Sequence, residues 1–321
     1  NAVVDACVIC NYYGIGSAHL LKNKLEREVN DLRIVAEYSA RDMASVKGCE
    51  CDLIISALPV SNPFYGKPVV QVEDMLLDYD ITAIEEAGLI DSGWMEEFDK
   101  NSSPYTSAIV FLVRSGNAKN IQDWDDLVRE DVKVITPNPK TSGGACWNFL
   151  AAWAYWQEQD GGDENATREY MKKLYQNVLV LDSGARGATN TFVENRQGDV
   201  LVAWENEAYL SMKEYPDDFE IVAPSVSILA QPSVAVVDSN AADHGTQEAA
   251  AAYLEYLYSD EAQRLAGQNY YRPSDEAVLQ EFADQFDLGM HLVTIDDFGG
   301  WDAAYQTYFE DGAVFDQIYA E

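Results

Sequence analysis

The sequence predicts an α/β protein with two lobes and a ligand cleft between them. A chain of 321 residues is long enough to bury two sizeable cores. Apolar runs of strand length alternate with runs at helical spacing, which is typical of parallel sheets with helical crossovers. Two loops of small residues, each between a predicted strand and a predicted helix, indicate where a ligand would bind in the cleft.

The first 78 residues are predicted to form one sheet of parallel strands. Strands are predicted at 3–10, 32–36, 51–58 and 67–72, and helices at 17–29 and 40–46. This strand-helix-strand-helix-strand order favours right-handed crossovers between neighbouring strands.

The same alternation continues to the end of the chain. Strands are predicted at 107–113, 132–135, 178–181, 200–204, 219–223 and 233–237. Helices are predicted from Ile81 and at 123–128, 147–157, 166–175, 189–194, 247–258, 261–268, 275–286 and 301–309. Ser259 has the residue type of an N-cap for the helix that follows it.

Four segments describe the predicted domain organisation. Residues 1–78 begin lobe 1, 79–110 and 225–265 complete it, 111–224 form lobe 2, and 266–321 form a C-terminal helical segment. The chain is expected to cross between the lobes near 109–113 and near 224–232.

The chain is strongly acidic, with 21 Lys and Arg against 55 Asp and Glu, and its formal net charge is −34. This sign excludes a nucleic-acid binder. No apolar run reaches the roughly 18 residues of a membrane span. The absence of an initiator Met and of a signal peptide predicts a mature or trimmed chain. An anion receptor this acidic must hold its ligand through local donors, because the overall field repels it.

Two loops and one strand end supply such donors. The loops are Pro137–Ala145 and Asp182–Thr189, and the strand end is Ala203–Glu207. A helix start leaves N–H groups without acceptors, and the helix dipole favours an anion there. The predicted donors are the hydroxyl and N–H of Ser142, the N–H groups of Gly143, Gly144 and Ala185, and the indole N–H of Trp204. A site made only of donors suits sulfate, whereas phosphate keeps a proton that needs an acceptor.

These runs resemble the sulfate-binding protein family, the soluble receptors of bacterial sulfate importers. The resemblance covers about 79–321 and rests on SPYTS, VITPNPKTSGGA, VLDSGARGATNTF, AWENEA and FGGW with the later FDQI. It implies a type II periplasmic-binding-protein-like fold and a non-catalytic, extracytoplasmic receptor without cofactors. The receptor would deliver sulfate to the membrane subunits of an ABC importer, and its signal would have been removed.

The resemblance also assigns residues. In the family, the positions matching Ser142, Gly143, Gly144, Ala185 and Trp204 contact the anion. Asp80 and Arg186 stand where the family has supporting charges, but Cys146 stands where the family usually has Arg. Two anion contacts that the family's first third supplies are missing here. If residues 1–78 replace that lobe start, the loops at 14–17 and 39–41, with Ser17 and Ser39, would occupy their places.

The first 78 residues instead resemble the IIB domains of sugar phosphotransferase systems. The resemblance rests on VICNYYGIGSAHLL, CDLIISALPV and GKPVVQV, and it implies that Cys10 is a phosphoacceptor. Three residues separate Cys10 from Gly14, where two are usual in those domains. The alternatives are therefore a chimera with a cytoplasmic phosphocarrier or regulatory module, or a scaffold with weakened binding.

Other candidate chemistry has simpler explanations. Cys7 and Cys10 point to opposite faces of a predicted strand, which argues against a shared metal ion. The His residues are scattered and form no nucleophilic triad. Glu205 and Glu207 are expected to be lobe-surface or hinge residues rather than an acid–base pair. The sequence thus predicts a protein that is not an enzyme and holds no metal.

Overall fold

The computed structural model describes the backbone at 4–10, 32–39 and 53–57, and the chain from 77 to 320 apart from residue 160. The chain divides into two compact units, Asn1–Asp74 and Met75–Glu321. The lobe boundaries predicted from the sequence stay a prediction.

The first unit contains a parallel sheet of three strands in the order β2-β1-β3. The strands are β1 (Val4–Cys10), β2 (Leu32–Ser39) and β3 (Leu53–Ala57). Three of the predicted strands and their parallel direction are therefore confirmed. The other predicted strand and helices of this unit lie outside the described residues, as does the loop with Ser17.

The second unit is built on a five-stranded sheet in the order β7-β6-β8-β5-β9. Its strands are β5 (Ile109–Arg114), β6 (Val134–Pro137), β7 (Val178–Asp182), β8 (Val200–Trp204) and β9 (Phe219–Val222). β6 runs parallel to β7 and β8, whereas β5 runs antiparallel to β8 and β9. The sheet is therefore mixed rather than purely parallel.

Two small sheets flank it. β4 (Tyr105–Thr106) pairs antiparallel with β11 (Arg272–Pro273), and β10 (Val226–Ile228) pairs parallel with β12 (His291–Val293). The predicted strand at 233–237 is wrong, since residues 231–237 belong to no strand. Val234 N–H donates to Ser102 O, and this one bond does not build a ladder.

One hydroxyl joins β10 to β5, which lies in a different sheet. Ser227 Oγ accepts a hydrogen bond from Ile109 N at 2.9 Å and donates one to Ile109 O at 2.7 Å. Ser107 and Ala230 exchange two further backbone bonds of 2.9 Å beside this contact. The two segments predicted to cross between the lobes therefore lie side by side.

The helices of the second unit alternate with these strands. Those of five or more residues are α1 (Asp78–Glu86), α2 (Gly143–Gln159), α3 (Glu164–Gln176), α4 (Ala185–Val193), α5 (Glu205–Glu214), α6 (Asp238–His244), α7 (Gln247–Tyr256), α8 (Asp260–Gln268), α9 (Glu276–Gln280), α10 (Gly300–Ala304) and α11 (Val314–Ala320). Short 3₁₀ turns span Trp94–Glu96, Trp124–Val128 and Ile295–Phe298, and a π turn spans Tyr305–Phe309. Ser259 caps α8 as predicted, because its hydroxyl accepts the N–H of Ala262.

Both α2 and α4 begin four residues before their predicted starts at 147 and 189. A glycine or alanine does not break a first helical turn, and the apolar pattern alone cannot locate that turn. The earlier starts place Gly143, Gly144 and Ala185 in the first turns of the two helices.

Alternate residues of the central strands face two different cores. One core contains Ile109, Phe111 and Val113 of β5, Val200, Val202 and Trp204 of β8, and most of α2. The other contains Val110 and Leu112 of β5, Leu201 and Ala203 of β8, and Ala188 and Phe192 of α4. Residues 145–156 of α2 are all buried, which identifies α2 as a central helix. Strand alternation thus directs the side chain of Trp204 to the α2 face of the sheet.

Within the described ranges, no helix has both the length and the apolar character needed to cross a membrane. In the same part of the chain, no group of three or more His, Cys, Asp or Glu side chains could hold a metal ion.

Candidate functional site

The two small-residue loops lie against each other at the ends of β6 and β7. Asn138 N–H donates to Asp182 O at 2.8 Å, and Thr141 Oγ1 donates to Ser183 O at 2.9 Å. These contacts bring the first turn of α2 and the first turn of α4 to the same edge of the sheet. The carboxyl end of a parallel strand is where ligands of α/β proteins usually bind.

Four of the five predicted anion contacts meet around Gly144. A methyl group on Gly144 would lie 3.3 Å from Trp204 Nε1, 3.7 Å from Ser142 Oγ and 3.9 Å from Ala185 Cβ. The fifth residue, Gly143, precedes Gly144 at the start of α2. The absence of a side chain at 144 therefore gives the Trp204 indole room beside the first turn of α2.

The helix starts present N–H groups to this region. The N–H of Ser142, which was predicted as a donor to the ligand, already donates to Asn138 O at 3.0 Å, so the prediction is wrong for this group, and Ala145 N–H donates to Ser142 O at 3.1 Å. The N–H groups of Gly143 and Gly144 have no acceptor within α2, because they lie in its first turn. Ala185 has the same position in α4, whose N-cap Gly184 offers no side-chain acceptor.

Ser142 and Trp204 add two side-chain donors. Ser142 is 8% exposed, and its Oγ accepts the N–H of Ala145 at 3.4 Å, which leaves the hydroxyl hydrogen to donate elsewhere. The Trp204 indole is 5% exposed and donates to Gly144 O at 3.2 Å. Its ring also packs edge-on against Trp147 with 6.5 Å between centroids. Trp204 is thus both a core residue and a donor at the site.

The predicted supporting residues lie near these loops. Asp80 Oδ2 accepts the N–H of Leu77 at 2.9 Å, within the capping box of α1. Cys146 is buried behind the first loop, and its one S–H is shared between Pro139 O and Ser142 O, which lie 3.3 Å and 3.7 Å from Sγ. Burial raises the pKa of the Cys146 thiol, and the charge of Asp80 raises it further. The thiol therefore stays protonated and able to donate.

Arg186 lies in the first turn of α4, and its Nη2 is 3.9 Å from Glu207 Oε1.

Glu205 is buried, so the expectation of a lobe-surface residue is wrong for it. Burial raises the pKa of the Glu205 carboxyl, and hydrogen bonding from Arg272 opposes this shift. Sequence reasoning missed Arg272, because one basic residue in a YYRPSD run carries no motif.

A cavity of about 230 Å³ borders the site at Trp147. Its lining includes the carboxylates of Asp78, Asp296 and Asp302, which would repel an anion. None of the five predicted contacts lines this cavity. The donor cluster around Gly144 is therefore separate from the acidic cavity beside it.

The remaining predicted residues lie in the first unit. Cys10 and Ser39 are paired by register at the carboxyl ends of β1 and β2. Ser17 lies outside the described residues. Their roles in phosphoryl transfer or anion binding stay predictions.

Comparison with known proteins identifies the family. The sequence model of the family described as "Bacterial extracellular solute-binding protein" matches residues 76–272. The "Sulfate-binding protein" of Escherichia coli K12 is 54% identical over 249 residues, which are 77% of this chain and 75% of that protein. The "Thiosulfate-binding protein" of Pseudomonas aeruginosa is 46% identical over 243 residues, which are 75% of this chain and 73% of that protein.

Solved structures show the same fold. The sulfate-binding protein SubI from Mycobacterium tuberculosis H37Rv matches with a TM-score of 0.66 and 28% identity, over 97% of this chain and 100% of that one. The apo ferric ion-binding protein A of Pasteurella haemolytica matches with a TM-score of 0.52 and 16% identity, over 98% and 97% of the two chains. These likenesses show the predicted type II periplasmic-binding-protein fold. The chain therefore belongs to the bacterial extracellular solute-binding proteins, and among them to the sulfate-binding protein family.

Proposed function

We propose that this protein is an extracytoplasmic receptor that binds sulfate and delivers it to the membrane subunits of an ABC importer. The observation that carries the proposal is the convergence of Ser142 Oγ, Ala185 and Trp204 Nε1 on Gly144. The names of the sulfate- and thiosulfate-binding relatives support the same ligand class.

The proposed contacts are the five donors around Gly144. The N–H groups of Gly143, Gly144 and Ala185 point out of two helix starts, where both helix dipoles favour a negative charge. The Ser142 hydroxyl and the Trp204 indole donate from the sides. An anion that accepts the indole hydrogen replaces the carbonyl oxygen of Gly144 as its acceptor. A bond to a charged acceptor is stronger than one to a neutral carbonyl, which favours this exchange.

The donor set also supports a receptor rather than an enzyme. None of the five contacts has a side chain that titrates near neutral pH, so none can act as a general acid or base there. The same set favours sulfate over phosphate, because the phosphate proton would face another donor. Each such mismatch costs about 1–3 kcal/mol.

The first unit bears on how tightly the site binds. The likeness to SubI covers 97% of the chain, which supports the interpretation of residues 1–78 as the start of a receptor lobe. If the two family contacts of that region are missing, affinity falls by about 1.5–3 kcal/mol for each. We therefore expect a dissociation constant in the micromolar range or above.

Titration calorimetry of the whole chain tests the proposal. Sulfate is added to protein dialysed into a buffer free of tetrahedral anions, and thiosulfate and phosphate are titrated in parallel. We expect saturable binding of sulfate, competition by thiosulfate and much weaker binding of phosphate. Absence of sulfate heat, together with an unchanged melting temperature in millimolar sulfate, would contradict the proposal.

The phosphocarrier alternative predicts a different result. Incubation with a phosphotransferase relay would label Cys10, and Cys10→Ser would remove the label. We expect no label and an unchanged sulfate affinity in Cys10→Ser. Stable phosphate on Cys10 would favour the phosphocarrier instead.

A further inference from the structure

A buried ion pair lies one residue from the indole donor. Glu205 and Arg272 meet in a two-point contact, with 2.6 Å from Arg272 Nε to Glu205 Oε2 and 3.1 Å from Nη2 to Oε1. Both side chains are only 3% exposed. The receptor function proposed above gives this pair no role.

The guanidinium of Arg272 is held on several sides. Its Nη2 also donates to Asp287 O at 3.1 Å, and its Cζ lies 5.3 Å from the centre of the Phe286 ring. The backbone of Arg272 belongs to β11, where it pairs with Thr106 of β4. The guanidinium therefore has a fixed position, and an element that forms an ion pair with it is held in place.

Helix α5 is tied to this position at its first residue. Glu205 supplies the carboxylate, and its own N–H donates to Ala108 O at 2.8 Å. One turn later, Tyr209 Oη donates to Gln285 O, next to the segment that holds Arg272. The start of α5 is thus attached both to the residue that precedes β5 and to the 285–287 segment.

This attachment fixes Trp204, which is the last residue of β8 and the N-cap of α5. The β8 ladder holds Trp204 opposite Ile109, and Glu205 holds the peptide that follows it. The direction of the Trp204 side chain depends on both. The indole bond to Gly144 is already 3.2 Å long, so a small shift of the backbone at 204 would lose it.

Stability alone explains this pair poorly. The desolvation of two buried charges offsets most of their attraction, and apolar side chains of similar size often stabilise a fold as well. Such a pair does impose a single geometry, because a lone buried charge is costly in any other arrangement. A function in positioning accounts for the bidentate contact, which lysine could not make.

We propose that Arg272 and Glu205 are positioning residues, which hold the Trp204 indole at Gly144 and so set the affinity for the oxyanion. The inference rests on the proposed function for its ligand, but its geometric part concerns the protein alone. Arg272 acts through Glu205 and the backbone of Trp204.

The test combines an indole NMR signal with sulfate titration. The indole N–H resonance of Trp204 is assigned in the whole protein by its loss in Trp204→Phe. Arg272→Lys keeps the charge and removes the two-point contact. We expect it to shift this resonance before any sulfate is added and to weaken sulfate binding about tenfold. The matched control is Arg264→Lys, because Arg264 makes an exposed two-point pair with Glu281. It should change neither quantity.

Each outcome decides the inference. A folded Arg272→Lys protein with the wild-type resonance and wild-type affinity would overturn it. Should Arg272→Lys not fold, Glu205→Gln, which preserves shape and one acceptor oxygen, is measured in the same way with the same expectation. Failure of both to fold would assign the pair to stability and overturn the positioning role. If wild type binds no sulfate but the resonance still shifts in Arg272→Lys, the proposed ligand is wrong and the positioning role stands.

Discussion

We expect Gly144→Ala to weaken anion binding without weakening folding. The added methyl would lie 3.3 Å from Trp204 Nε1 and 3.7 Å from Ser142 Oγ, between two of the proposed donors. Contact at 3.3 Å is tight but not prohibitive, so the indole has to move by a few tenths of an ångström. Alanine is also the better helix former by about 1 kcal/mol, and Gly144 lies in the first turn of α2. We therefore expect the melting temperature to stay unchanged or to rise.

Sulfate affinity should fall in the same variant. The methyl displaces the indole and blocks the approach of an anion to the start of α2. Loss of one hydrogen bond to a charged group costs about 1.5–3 kcal/mol, which corresponds to a loss of about 10- to 150-fold in affinity.

Calorimetry and thermal unfolding measure both quantities on one preparation. Gly187→Ala is the matched control, because its methyl would also have a nearest contact at 3.3 Å, but with Asp182 Cβ on the side of α4. It should bind sulfate as wild type does. Wild-type affinity in Gly144→Ala would refute the assignment of the site to this position.

Three further predictions concern the donor, the loop behind it and a buried carboxyl. Trp204→Phe should weaken sulfate binding about tenfold in calorimetry, because a bond to a charged acceptor is lost while the ring remains; unchanged affinity would remove Trp204 from the site. Cys146→Ala removes the thiol bonds to the first loop and should weaken binding about threefold, whereas Cys146→Ser should not. Burial raises the pKa of Asp78 and the Ser233 hydroxyl bond opposes this, so folding stability falls as pH rises from 3.8 through the folded-state pKa. Asp78→Asn should therefore melt at a higher temperature than wild type at pH 7 and at the same temperature near pH 3, and an equal difference at both pH values would contradict this.

The sequence was sufficient to predict which residues meet at the candidate site, because they lie in two short loops and at one strand end. Gly143, Gly144 and Ala185 follow predicted strands and precede predicted helices, and short-range sequence patterns are sufficient to recognise that arrangement. The helix starts were predicted four residues late at both loops. Residues without apolar side chains leave no periodic signal there, although their backbone is helical.

The features that sequence could not predict depend on distant partners. Arg272 meets Glu205 across 67 positions, and no spacing rule links them. The antiparallel direction of β5 relative to β8 depends on the end of the sheet at which the chain enters after residue 108. This is a property of the whole sheet. The run at 233–237 looks like a strand because it contains Val234, Val236 and Val237, but only a neighbouring ladder makes a strand.

The hydroxyl of Ser227 has a mechanical consequence. It hydrogen-bonds to both the N–H and the carbonyl of Ile109, so it links two strands that belong to separate sheets. If the backbone rotates at Ile109, Val226–Ile228 must move with it, because otherwise the two hydrogen bonds between Ser227 and Ile109 break. If both segments connect the lobes, as the sequence predicts, we expect them to move together when the cleft opens.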